Sequence, residues 1–142
     1  MLKFQSLGLI EAEKAIAGGI AAANSRNRAM AFAVADHRGE MIATARMDGA
    51  HPRILTHSIR KAFTAAVMCR HTLSFRRDLE ERRGDLDQWG DARLTTLPGG
   101  LVVESDGTVV GSVGAGGGGP DDEAVARAMV EAMGFKLVEG KQ

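Results

Sequence analysis

Apolar residues recur along this chain with two periods, and the order of those periods lays out its elements. Ile10, Ala17, Ile20 and Ala21 mark a stripe at helical spacing, with Glu11, Glu13 and Lys14 off it. The pattern predicts a helix that Ser6 caps and that runs to residue 23 or 24. Gly18-Gly19 weakens it by about 1 kcal/mol per glycine relative to alanine, which marks a place where another element packs closely. Residues 30–35 then switch to period two. Met30, Phe32 and Val34 fall on one face and Ala31, Ala33 and Ala35 on the other, without a charge, as in a strand covered on both sides. Asp36-His37-Arg38-Gly39 reads as a turn, residues 40–47 as the returning strand, and Asp48-Gly49 as its close.

The helical period returns at Pro52 and predicts the longest helix, to about Arg70. Leu55, Ile59, Ala62, Phe63, Ala66 and Val67 are expected to face the sheet, and Arg53, His57, Arg60, Lys61 and Thr64 to lie on the opposite flank. Such a basic flank is ordinarily a solvated surface. The competing reading is an anion-binding stripe beside His51, because no acidic residue occurs between Ala50 and Phe75. Surface helices usually mix signs to gain i,i+4 pairs. On that reading Lys61 is an unpaired cation, whose removal leaves the unliganded chain as stable as before or slightly more so. Residues 75–83 predict a short charged helix capped by Ser74 and stopped by Gly84. Arg77 with Glu81 and Asp78 with Arg82 are spaced there for exposed ion pairs. Residues 85–96 are irregular, with Trp89 placed to anchor the loop.

Residues 98–120 organise the C-terminal half. Leu101-Val102-Val103 and residues 109–113 are β-rich, and Asp106-Gly107 between them supplies the positive-φ pair of a two-residue hairpin turn. A glycine loop over residues 114–119 follows. Pro120 suits the first turn of a helix, and Asp121, Asp122 and Glu123 favour its positive end. Ala124, Val125, Ala128, Met129 and Ala132 form the expected buried stripe of that helix, and residues 135–138 add apolar contacts. Gly114, Gly116 and Gly119 match G-x-G-x-x-G, but the strand before them is antiparallel and three acids follow. A dinucleotide site is therefore not expected, and the glycines serve backbone shape.

Composition narrows the classes. At 142 residues the chain is expected to form one domain spanning 1–142. Lys+Arg 18 against Asp+Glu 18 gives no reason to expect nucleic acid or an anionic membrane as a partner. One cysteine, Cys69, excludes an intrachain disulfide and a C-x-x-C site. No stretch approaches a membrane span, and residues 1–6 lack the regions of a signal peptide, so the cytoplasm is the expected compartment. Aromatics are only 4% of residues, so the core relies on close backbone approach.

Three stretches in order resemble one family. They are Val34-Ala35-Asp36 through Gly39 to Ala43 with Ala45-Arg46-Met47-Asp48-Gly49-Ala50; then Ser58, Lys61-Ala62 and Thr64-Ala65-Ala66; then Pro98-Gly99-Gly100, Asp106-Gly107, Val110-Gly111 to Gly114, and Asp122-Glu123. Together they resemble the GlcG/HbpS family, which includes the C-terminal domain of PduO-type proteins. The resemblance implies an α+β, PAS/profilin-like antiparallel sheet with helices packed on it. It further implies a homo-oligomer, haem or a related tetrapyrrole as ligand, and association with catabolic operons. The family tends to have serine near residues 115–117, where this chain has glycine, and the motifs bring no axial ligand with them.

The residues themselves admit two chemistries. A haem site needs an axial His, Cys, Met or Tyr beside an apolar slot, and the chain offers four histidines, Cys69 and seven methionines. The alternative is an enzyme (an isomerase, lyase or hydrolase) acting on a small carboxylate. His51 and His57 would serve as acid or base, Arg53, Arg60 and Lys61 would hold the carboxylate, and N–H groups of the glycine loop would stabilise an oxyanion. Gly99, Gly100, Gly114, Gly116 and Gly117 are the candidate backbone walls of either site. Zinc held by His51, His57 and a carboxylate lacks a recognisable ligand spacing, and no metal is expected.

Overall fold

The computed structural model describes residues 1–138. Its four strands form one antiparallel sheet in the order β2-β1-β4-β3, from β1 (Ala31–Asp36), β2 (Met41–Arg46), β3 (Gly100–Ser105) and β4 (Thr108–Gly116). Helix α2 (Pro52–Met68) covers one face, and α1 (Leu9–Ser25) with α4 (Asp122–Ala132) covers the other. Helix α3 (Thr72–Glu81) follows α2, and one-turn 3₁₀ segments lie at Leu86–Trp89 and Gly119–Asp121.

The predicted alternation in β1 is present. Met30, Phe32 and Val34 enter the larger core with Val113, Ala115, Val125 and Met129, while Ala33 and Ala35 meet Ala62 of α2. The two sides differ in the size of what they bury. On the α2 side, the row Ala33–Gly114–Gly100 runs across β1, β4 and β3. A side chain at Gly114 would run into the Ser58 carbonyl oxygen and come within 2.8 Å of the Ala62 nitrogen. Small residues thus let a helix lie directly on the strands. The Gly18-Gly19 pair does the same between helices, facing Ala128 and Ala132 on one side and Phe32 on the other.

The second hairpin turns where expected, with Asp106 at φ 50° and Gly107 at φ 77°. A Cβ on Gly107 would meet nothing within 4 Å, so only the backbone resists substitution there. Gly107→Val is expected to lower the unfolding free energy by more than about 1 kcal/mol, since β-branched residues avoid that region. Urea unfolding of both proteins checks it, and coincident midpoints would count against the turn.

Several local expectations are corrected. Helix α1 begins at Leu9 rather than after Ser6, and its cap is Gly8, whose N–H donates to Glu11 Oε2 at 2.9 Å. Hydrogen bonds from the backbone of Glu11 and of Gly8 hold the Glu11 carboxyl below the usual carboxylate range. The Ser6 hydroxyl accepts from His37 N–H instead. The buried residues of α1 are Ala12, Ala15, Gly19 and Ala23, whereas Ile10, Ala17 and Ala21 are exposed. The close approach falls at Gly18 and Gly19, where an added Cβ would come within 3 Å of Ala132 and of Phe32, so the inward row is centred there, with Ile16 and Ile20 packed partly against the same core. Helix α4 buries Val125, Ala126, Met129 and Val130, leaving Ala124 and Ala132 exposed.

Helix α3 starts after His71, not Ser74. His71 is fully buried; its Nδ1 accepts from Val102 N–H and its Nε2 donates to the Val138 carbonyl at 2.9 Å. Asp78 pairs with Arg82 as expected, but Arg76 with Glu80 takes the place of Arg77 with Glu81. Trp89 remains 47% exposed and sets its ring edge against Phe75, a partial anchor.

Candidate functional site

Helix α2 departs most from its sequence pattern. Lys61 and Thr64 are buried rather than solvent-facing, in an unbroken run from Lys61 to Ala66. Each polar member has a partner that only the fold supplies. The Ser58 hydroxyl donates to the Ala31 carbonyl at 2.9 Å, and Thr64 Oγ1 accepts from Thr95 N–H. Lys61 is 3% exposed, and its Nζ donates to the Ala115 carbonyl and to Asp122 Oδ2, both at 2.8 Å. The other Asp122 oxygen accepts from Gly118 N–H at 2.8 Å. One carboxylate thereby ties α2, the end of β4 and the start of α4 together. Gly99 sits behind this ion pair, with room for no side chain beside Lys61 Nζ and Asp122.

In front of the pair lies a cleft of about 660 Å³. Ile54, His57 and Lys61 of α2 form one wall, Leu73 of α3 and the Leu97-Pro98 loop a second, and residues 116–123 a third. Apolar side chains and proline rings dominate. His57 is half-buried at this wall and has no hydrogen-bond partner among the described residues.

The fold therefore gathers His57, Lys61, Gly116 and Gly117 at one cleft. It does not bring the remaining candidates there. His51 is exposed at the start of α2, where its Nδ1 accepts from Arg53 N–H at 3.2 Å, and Arg53 and Arg60 are exposed as well. Gly100 and Gly114 are buried in the strands beneath α2. Gly114 and Gly116 belong to β4, which extends three residues into the expected glycine loop, so their backbone is committed to pairing with β1. Asp122, Leu73 and Leu97 were not among the sequence candidates. Asp122 had a signal, since a lysine on a helix without acids needs a partner from elsewhere.

Fold and cleft together define a PAS/profilin-like α+β domain with a ligand-sized recess between the helix on one sheet face and the start of the last helix. The family described as "Haem degrading protein HbpS-like" matches residues 7–131, and the chain belongs to it. It is similar to Protein GlcG of Escherichia coli K12, 36% identical over 99 residues that cover 70% of this chain and 72% of that protein. A double mutant of Streptomyces reticuli HbpS superimposes with a TM-score of 0.83 at 30% identity, covering 92% of this chain and 89% of the other. PduOC, whose crystal structure is a complex with heme, gives a TM-score of 0.83 at 20% identity over 94% of this chain and 99% of its own, a likeness of fold. No helix among the described residues is long and apolar enough to cross a membrane.

Proposed function

We propose that the protein binds a small molecule in the cleft beside His57, and that this ligand is haem or a related tetrapyrrole. A tetrapyrrole requires an apolar slot and an axial donor facing it. The carrying observation is that His57, half-buried and without a partner among the described residues, lines a cleft walled by Ile54, Leu73, Leu97, Pro98 and Pro120. Family membership and the heme-bound PduOC support the choice of ligand.

The residues present fit such a group. His57 would offer a ring nitrogen to iron, the apolar walls would exclude water from the macrocycle, and the glycines at 116 and 117 keep the third wall thin. When bound, haem would contribute its iron. The chain's own part is to orient the ring and to hold the cleft's shape through the Lys61–Asp122 pair.

Titration with haem is expected to give a saturable Soret shift at one site per chain. His57→Ala should displace the absorption maximum and weaken binding by about tenfold or more, roughly 1.4 kcal/mol. Its melting temperature should stay near that of the parent. A non-saturating spectrum, or one that His57→Ala leaves unchanged, would sink the reading.

A further inference from the structure

A second cleft, of about 340 Å³, lies between α3 and α4. Leu73 and Glu123 line both it and the His57 cleft, so the two adjoin along those side chains. Their chemistry differs. The His57 cleft is mostly apolar, whereas the second carries Arg77 from α3 and Arg127 from α4.

These two arginines leave acidic neighbours on their own helices unpaired. Arg77 has Glu81 four residues on, and Arg127 has Glu123 and Glu131 four residues to either side, spacing that normally gives helix ion pairs. Neither forms one among the described residues, although Arg76 on the same helix pairs with Glu80 at 2.9 Å. Both arginines line the cleft instead, two basic residues against the single acidic residue Glu123. An apolar recess that adjoins two free guanidinium groups suits an amphipathic ligand with a hydrophobic body and an acidic edge, because guanidinium groups grip carboxylates through paired hydrogen bonds.

We propose that Arg77 and Arg127 bind the carboxylates of the ligand whose apolar body occupies the His57 cleft, which makes a dicarboxylate tetrapyrrole the preferred class. This rests on the reading of that cleft given above. The arginines are exposed, so their contribution is moderate, sensitive to salt, and directed at ligand choice rather than at the fold.

The test compares iron protoporphyrin with its dimethyl ester, which blocks both carboxylates, titrated in the same mild detergent. The parent protein should bind the diacid about three- to tenfold more tightly than the ester, the span expected of two exposed ion pairs. Arg77→Ala with Arg127→Ala should abolish that preference while keeping the affinity for the ester, the absorption maximum and the melting temperature. His57→Ala should weaken diacid and ester alike. Equal binding of diacid and ester by the parent, or a preference that survives in the double variant, would overturn the inference and leave the His57 cleft as a binding site. If the parent binds neither compound, the reading of the cleft falls and this inference with it.

Discussion

Lys61→Met is expected to lower the unfolding free energy by about 3 kcal/mol, the range for breaking a buried pair by removing one partner. The Lys61 and Asp122 side chains are 4% and 13% exposed, so the carboxylate left behind is poorly solvated. The Ala115 carbonyl loses its donor in the same step. Adding Asp122→Asn should recover more than half of the loss, because it removes the stranded charge while an amide oxygen can still accept from Gly118 N–H. Urea unfolding of the parent and both variants decides it. A change within about 0.5 kcal/mol for Lys61→Met, as at an ordinary surface position, would show that the pair contributes nothing. The sequence taken alone predicts that benign outcome, since it offers Lys61 no partner. Asp122, 61 positions further along the chain, reverses the sign.

Gly114→Ala should cost about 3 kcal/mol or more, at the upper end for an added methyl in a packed interior. The obstruction is main chain on both counts: the Ser58 carbonyl and the Ala62 nitrogen of α2, neither of which can rotate away. Helix α2 would have to lift from β4, and the His57 wall of the cleft would move with it. Reduced thermal stability together with weaker ligand binding is the expected pair of results. Gly119→Ala serves as a contrast, since no atom lies within 4 Å of a Cβ there and only its φ of 58° opposes the change. A Gly114→Ala protein that melts with the parent would mean that α2 does not sit on the sheet as described.

The candidate site was legible in part. His57 and Lys61 stood out because they lie on a helix without acids, and Gly116 and Gly117 because glycine clusters mark close approach. Helical spacing grouped Arg53 and Arg60 with them, yet those two remain exposed. Periodicity places residues on one side of a helix but does not say how wide the covered side is. Helix α2 lies against all four strands and beside the Thr95 loop, so burial spreads beyond one apolar stripe to Ser58, Lys61 and Thr64. The motif that carried the family resemblance on this helix is thus largely a packing motif.

Alternation in residues 30–35, the Asp106-Gly107 turn and the spacing of apolar residues were enough to indicate the strands and the hairpins, because each depends on neighbours within a few positions, while the α+β class followed from the family resemblance. Two matters waited on the folded chain. One was which row of α1 turns inward: Ala12, Ala15, Gly19 and Ala23 do and Ile10 does not, with Gly18 and Gly19 set against Ala132 of α4 and Phe32 of β1. The other was the partner of Lys61, which joins α2 to the start of α4 and forms the back of the cleft. Both turn on distances between segments far apart in the chain, and local pattern carries no record of how closely such segments approach.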